Sequence, residues 1–143
     1  FTVASDMEES KILGRMTFNF DIPLECHING NYNLLRGMLI NLAKNASSYS
    51  KGTMCEVILV SEDNDFYHFE FRDNGTGVEE QHLSHLFDRF YRIDSGRARK
   101  NGGTGLGLPI VQNTVLAHGG TIEVRNGELG GLAFSFSLPK FKE

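Results

Sequence analysis

The sequence has few of the residues that cross-link or anchor a chain. Only two of its 143 residues are cysteines, Cys26 and Cys55, and both lie in strand-like surroundings. No cysteine–histidine spacing typical of a metal site is present, so we expect two buried, reduced thiols. No apolar run reaches the ~18 residues of a membrane-spanning helix, and no signal-peptide pattern opens the sequence. We therefore expect one domain of a cytoplasmic region, with any membrane anchor upstream in a longer parent protein.

Positive charge is also scarce, with 14 Lys and Arg against 18 Asp and Glu and a formal net charge of -4. This balance argues against nucleic acid as a partner. The basic residues cluster instead in one short stretch that holds Arg89, Arg92, Arg97, Arg99 and Lys100. A local cluster of this kind favours a small anionic ligand over a polyanion.

Hydrophobic periodicity predicts an α+β domain. Residues that alternate between apolar and polar predict strands over 16–22, 55–60, 67–72, 121–125 and 132–138, with a further short strand near 26–28. Apolar residues at helical spacing predict helices over 31–49, 79–87 and 107–117. We expect a two-layer α/β sandwich in which a mixed, mostly antiparallel sheet carries the helices on one face, with residues 1–14 as a linker or the tail of a preceding element and 15–143 as the domain.

A glycine-rich segment, Gly102-Gly103-Thr104-Gly105-Leu106-Gly107-Leu108-Pro109, follows the basic stretch and opens the last predicted helix. Glycine allows close approach of a ligand to the backbone, and a helix N-terminus offers unpaired N–H groups to phosphate. Pro109 suits a first helical turn. No strand directly precedes the segment and no Gly-Lys-Ser/Thr follows, so it is neither a dinucleotide fingerprint nor a Walker A loop.

Two other polar motifs are flanked by apolar residues. Asn41 and Asn45 lie one turn apart on the long helix, at the edge of its apolar stripe, where their amides could ligate Mg²⁺ or simply bond to backbone. Asp73-Asn74-Gly75-Thr76-Gly77 follows a predicted strand. Its carboxylate could accept a hydrogen bond from an adenine amino group, or could form an Asx turn.

Together these motifs resemble the ATP-binding catalytic domain of bacterial sensor histidine kinases, which share a superfamily and a Bergerat-type fold with gyrase, Hsp90 and MutL. Four segments carry the resemblance in family order. They are the N box at 41–50, the G1 box at 73–77, the F box at 86–94 and the G2 box at 103–108. The Phe-Tyr-Arg of the F box is similar to histidine kinases rather than to gyrase or Hsp90. The resemblance implies ATP and Mg²⁺ as ligands, with a mobile lid over the phosphates.

The resemblance also assigns roles. It implies that Asn45 ligates Mg²⁺, that Asn41 lies by the phosphates and that Asp73 bonds the adenine amino group. Around the base it implies roles for Gly75, Gly77 and Tyr49. At the lid it implies that Phe87 and Phe90 anchor the lid and that Arg89 and Arg92 meet phosphate. The phosphates themselves would lie against Gly103, Thr104, Gly105, Leu106, Gly107 and Leu108. The catalytic candidates are Asn41, Arg89 and Arg92.

Two positions bear on this assignment, one in its favour and one as a departure from the family pattern. Asn41 stands where ATP-hydrolysing relatives have a glutamate base, and an amide cannot take a proton from water, which fits transfer to an imported histidine. Ser48 stands where the family often has a lysine that reaches phosphate, which leaves open an ATP-binding switch without phosphotransfer. A domain that binds no nucleotide is the remaining alternative.

None of the five histidines has the acidic neighbour on a long helix that marks a phosphoacceptor. We expect His82 and His85 to be solvated and His118 to cap a helix. The phosphoacceptor would then lie in a separate dimerisation domain of the same parent protein, with a response regulator as the downstream partner.

Overall fold

Five strands and three helices make up the described part of the chain. A computed structural model describes residues 17–49, 52–91 and 107–142. In chain order the elements are β1 (Thr17–Asp21), α1 (Tyr32–Tyr49), β2 (Met54–Glu62), β3 (Phe66–Asp73), α2 (Glu80–Leu83), α3 (Gly107–Ala117), β4 (Ile122–Asn126) and β5 (Leu132–Pro139). No helix within these ranges has the length and hydropathy to cross a membrane.

The strands form one sheet in the order β1-β2-β3-β5-β4. β1 runs parallel to β2, and every other neighbouring pair is antiparallel. The β2–β3 turn closes through the carboxylate of Asp63, which accepts the N–H groups of Asp65 at 2.9 Å and Phe66 at 2.8 Å. The mixed, mostly antiparallel sheet predicted from the sequence is therefore confirmed.

The hydrophobic core lies between this sheet and the two long helices. Side chains alternate between the faces of a strand, so every second residue of β2, β3 and β5 faces α1 and α3. The largest fully buried core side chains are Phe71, Phe134, Met38, Leu42, Val57, Val111 and Val115. Asp73 shares the face of Phe69 and Phe71, because it follows them at the same two-residue spacing, and so its carboxylate points toward the helix layer.

The opposite face of the sheet is held by ion pairs. The buried carboxylate of Glu70 accepts from Arg125 Nη2 at 2.6 Å and from Arg72 Nη1 at 3.2 Å, and Arg72 Nε donates to Glu56 at 2.6 Å. The hydrogen bond to Glu56 is the main reason why the pKa of Arg72 is raised. Because this face of the sheet is polar, the core and the candidate site lie on the other face, which carries the helices.

Two predicted elements differ in the structure. The strand expected near 26–28 is a single bridge between Ile28 and Lys140, and the helix expected over 79–87 is regular only at Glu80–Leu83 before it breaks into turns. After Leu83 the backbone hydrogen bonds join residues three apart, as in successive turns. Side chains of both stretches, among them Ile28 and Phe87, pack against the core. The predicted segment 1–14 and the predicted lid beyond Tyr91 lie outside the described residues.

Candidate functional site

Asp73 is a buried carboxylate at the end of a central strand. Its side chain is 3% exposed, and its Oδ1 accepts the backbone N–H of Gly75 at 2.9 Å. This is the Asx turn that the sequence allowed. A carboxylate has about four acceptor positions, so the turn orients the group without using all of its acceptor capacity. The backbone of Gly131 lies directly against it, since a Cβ there would overlap Oδ1.

Asn74 ties the end of β3 to the start of β2. Its Oδ1 accepts the N–H groups of Thr53 at 2.8 Å and Met54 at 3.0 Å, and its backbone N–H donates to the Met54 carbonyl at 3.1 Å. Gly52 is buried beneath this amide, and a Cβ at that position would overlap its Oδ1. The side chain of Asn74 therefore fixes the backbone on one side of Asp73.

Asn41 of the asparagine pair faces the N-terminus of α3. Asn41 and Asn45 are half-buried on α1, at the border of the core as the helical wheel predicts. A Cβ on Gly107, the first residue of α3, would lie 3.4 Å from Asn41 Oδ1. Pro109 occupies the first turn of α3 and is buried. The fold thus brings an amide oxygen beside a helix N-terminus, where unpaired N–H groups attract anions.

Two phenylalanines follow the short helix, and they differ in burial. Phe87 packs edge-on against Phe134 of the core, with ring centroids 6.1 Å apart. Phe90 is 63% exposed and has a left-handed φ of 64°. Arg89 places its guanidinium 5.2 Å from the centre of the Phe90 ring. Of this pair, only Phe87 is held by the core.

A family model matches most of the chain. The model of the histidine kinase-, DNA gyrase B- and HSP90-like ATPases matches residues 30–142. The chain belongs to this family. The predicted resemblance to sensor histidine kinase catalytic domains is confirmed, and membership of this ATPase family implies ATP as the ligand.

Individual relatives agree with the assignment. The phosphate regulon sensor protein PhoR of Haemophilus influenzae is 40% identical over 114 residues, which are 79% of this chain and 27% of the relative. The mycobacterial sensor histidine kinase MprB is 25% identical with a TM-score of 0.79, over 99% of this chain and 93% of that one. The ATP-binding domain of PrrB from Mycobacterium tuberculosis is 26% identical with a TM-score of 0.75, over 99% and 90%. The chain thus spans about a quarter of the length of PhoR.

Within this ATPase domain, the structure places several predicted site residues on the Asp73 loop, on α1 and at the N-terminus of α3. The members of that set are Asn41, Asn45, Asp73, Gly75, Gly77, Gly107 and Leu108. Tyr49 lies in the last turn of α1, but its side chain and that of Ser48 are outside the described set. Outside the described residues altogether are Arg92, Gly103, Thr104, Gly105 and Leu106.

The expectation that His82 and His85 are solvated is wrong in one respect. Nδ1 of His82 lies 2.5 Å from the hydroxyl of Tyr91, and the ring of His85 stacks on Tyr91 with centroids 5.2 Å apart. His85 nevertheless stays exposed and pairs with Asp88 at 2.9 Å. The two rings are brought together by a tyrosine that follows in the next loop, a contact that helical periodicity cannot show.

Cys55 lies beneath the site as an inert thiol. Burial, the charge of Asp73 and then that of Glu56 raise its pKa to about 12. Both cysteines are free, as expected, but Cys26 is only partly buried, so the expectation of two buried thiols is wrong for Cys26. A neutral thiol at this position packs as a small apolar side chain.

Three contributors to the site were missed by the sequence analysis. Gly52, Asn126 and Gly131 all lie outside the recognised boxes. The Asn126-Gly127 pair is a turn signal, but it says nothing about contact with the Asp73 loop. Within the described ranges there is no cluster of three or more histidine, cysteine or acidic side chains that could hold a metal.

Proposed function

We propose that this domain binds ATP and transfers its γ-phosphoryl group to a histidine on a separate dimerisation domain of the same parent protein, as in a two-component sensor histidine kinase. One observation carries the proposal. Asp73 is a buried, turn-oriented carboxylate at the end of β3, where Asn74 bonds to the start of β2, the strand that follows α1. The N-terminus of α3 lies beside Asn41 of α1, and the C-terminus of α3 lies at the start of α1, so α3 begins on the side of α1 that leads toward Asp73. The carboxylate suits a base with an amino donor, and the helix N-terminus suits its phosphates.

Adenine recognition is assigned to Asp73. A carboxylate accepts hydrogen bonds and cannot donate them, so it favours the 6-amino group of adenine over the 6-carbonyl of guanine. Gly75 and Gly77 are proposed to shape the adenine pocket, and at Gly77 the amide of Asn126 already fills the space that a Cβ would take. Tyr49 is proposed to pack on the face of that base.

Phosphate binding is assigned to the start of α3. The N–H groups that follow Gly107, with Leu108 and the glycine-rich residues before it, would cradle the β- and γ-phosphates. Arg89 and Arg92 would add positive charge. Asn45 would ligate Mg²⁺ with Asn41 nearby. This donor set fits the ion, because Mg²⁺ takes most of its ligands from phosphate oxygens and water and needs few from protein. Bound there, Mg²⁺ would neutralise charge on the phosphates.

The transfer needs positioning more than proton chemistry. A lone pair of the acceptor imidazole forms the N–P bond, the bond from phosphorus to the β–γ bridging oxygen breaks, and ADP leaves with that electron pair. The Asn41 amide cannot remove a proton from water. Hydrolysis therefore lacks a base at this position, whereas an imidazole nucleophile brings its own lone pair.

The remaining assignments follow from this activity. We assign residues 15–143 to the catalytic domain, and residues 1–14 to a linker or the tail of a preceding element. The domain works in the cytoplasm, where ATP is available, with any inner-membrane anchor elsewhere in the parent protein. A response regulator receives the phosphoryl group from the histidine.

Phosphotransfer in trans tests the proposal. The 143-residue chain is mixed with the separately purified dimerisation domain, Mg²⁺ and ATP labelled in its γ-phosphate. We expect acid-labile, base-stable label on the dimerisation domain, and none when its phosphoacceptor histidine is replaced by glutamine. Bound ATP without any labelled histidine would contradict phosphotransfer and favour an ATP-binding switch.

A further inference from the structure

Asn126, the last residue of β4, holds the loop that follows Asp73. Its Oδ1 accepts the backbone N–H of Val78 at 3.0 Å, and its Nδ2 donates to the carbonyl of the same residue at 2.7 Å. The two residues are 48 positions apart in the chain. The side-chain amide thus pairs with Val78 at both polar groups of its backbone, as a neighbouring strand would.

The contact leaves no room for a larger residue beneath it. Gly77 has a φ of 68°, in the left-handed region, and a Cβ there would overlap Asn126 Oδ1. Glycine is therefore required at position 77 both for the backbone conformation and for the close approach of the amide. One exposed side chain on β4 fixes the path of the loop from Gly75 to Val78.

The same hairpin also touches the loop at its other end. The turn between β4 and β5 closes through the N–H of Gly127 and the carbonyl of Gly131, 2.7 Å apart. A Cβ on Gly130 would lie 3.0 Å from the Gly75 carbonyl oxygen, and one on Gly131 would overlap the carboxylate of Asp73. Asp73 and the loop that follows it therefore pack against the turn between β4 and β5.

We propose that Asn126 is a positioning residue for nucleotide recognition. By pairing with Val78 it holds the Gly75–Val78 backbone. That backbone supplies the N–H of Gly75, which orients the carboxylate of Asp73. The residue acts through the loop rather than on the ligand, and the inference rests on the proposed ATP site. Asn126 is itself exposed, so its replacement leaves the hydrophobic core intact.

The test measures base discrimination rather than affinity alone. The 143-residue chain is titrated by calorimetry with a non-hydrolysable ATP analogue and with the matching triphosphate of purine riboside, which lacks the 6-amino group. A hydrogen bond to a charged acceptor predicts that wild type prefers the adenine form by roughly tenfold or more. In the Asn126→Ala variant we expect this ratio to fall below about threefold, whatever the change in absolute affinity.

Two further variants separate positioning from general stability. Asn126→Asp keeps the acceptor for the Val78 N–H but loses the donor to its carbonyl, and we expect an intermediate ratio. Arg125→Gln changes the neighbouring residue, which bonds Ser135 and Glu70 on the other face of the sheet, and should lower stability while keeping the wild-type ratio.

The two proposals fail in different ways. An Asn126→Ala variant that keeps the wild-type ratio overturns the positioning role while leaving the ATP site in place. A wild-type chain that binds neither triphosphate, or binds both equally, overturns the proposed adenine site together with this inference.

Discussion

Asn31 and His118 lie 87 positions apart, and the imidazole of one bonds the backbone of the other. The N–H of Asn31 donates to His118 Nε2 at 3.1 Å, and His118 Nδ1 lies 2.7 Å from the carbonyl oxygen of Thr114. A backbone N–H can only donate, so Nε2 is unprotonated and the ring proton is on Nδ1. The ring therefore joins the C-terminus of α3 to the N-terminus of α1, the two helices that carry the site.

Replacing His118 by alanine should loosen this junction. Two hydrogen bonds are lost, and the backbone N–H of Asn31 loses its acceptor, so we expect the free energy of unfolding to fall by about 1–3 kcal/mol. Urea unfolding measures this. His85→Ala is the control, because that ring is half-exposed and should cost well under half as much. If His118→Ala loses no more free energy of unfolding than His85→Ala, the stabilising role of this junction is contradicted.

Replacing Gly37 by alanine should stabilise the chain. Gly37 lies inside α1, and a Cβ there would meet no atom within 4 Å. Glycine in a helix interior costs about 0.5–1 kcal/mol relative to alanine, so Gly37→Ala should raise the free energy of unfolding by about that amount. The matched control is Gly120→Ala, where a Cβ would overlap the Ser137 carbonyl and stability should fall. A destabilised Gly37→Ala variant would mean that the outer face of α1 is covered.

The two thiols should differ in reactivity. The pKa of Cys55 is raised to about 12, chiefly by burial, whereas Cys26 is only partly buried and its pKa is raised less, again mainly by burial. Because the thiolate is the reactive form, a chromogenic disulfide at pH 8 should titrate Cys26 well before Cys55. Both should react at once in denaturant. Rapid modification of Cys55 in the native chain would contradict its placement under the site.

Asp63 gives a pH-dependent contribution to stability. Hydrogen bonds from His68 and from the backbone N–H groups of Asp65 and Phe66 lower its pKa to about 2, against about 3.9 in an unfolded chain. A lowered pKa means stability that is present above the unfolded value and lost as pH falls toward 2. The urea midpoint of Asp63→Asn should therefore lie below that of wild type at pH 6, and the gap should narrow between pH 4 and 2.5. A difference in urea midpoint that stays constant over this range would contradict a stabilising contribution from the charged Asp63 carboxylate.

Much of the fold could be predicted because its signals are local. The helix expected over 107–117 has those bounds, and its end is a glycine stop. Gly119 has a φ of 79°, its N–H donates to Leu116, and that of Gly120 donates to Val115, which is a Schellman motif. Asp73 was also found from its motif, since an acidic residue at a strand end before two glycines is visible in the sequence.

The parts that were missed depend on contacts between distant segments. The bond of Asn126 to Val78 and the bond of His118 to Asn31 each join elements far apart in the chain, and no periodicity encodes them. The partial burial of His82 was missed for the same reason, because a turn places Tyr91 beside its ring, whereas His85 is exposed as expected. The motifs therefore point to the candidate site, whereas the contacts that support it are visible only in the structure.

Nucleotide binding by the 143-residue chain tests the central claim most directly. Calorimetry with a non-hydrolysable ATP analogue, with and without Mg²⁺, should show one site whose affinity rises with the ion. Asp73→Asn keeps the shape of the side chain and loses its charge, and binding should weaken by about tenfold or more. Absence of binding at millimolar analogue, or an unchanged affinity in Asp73→Asn, would contradict the account.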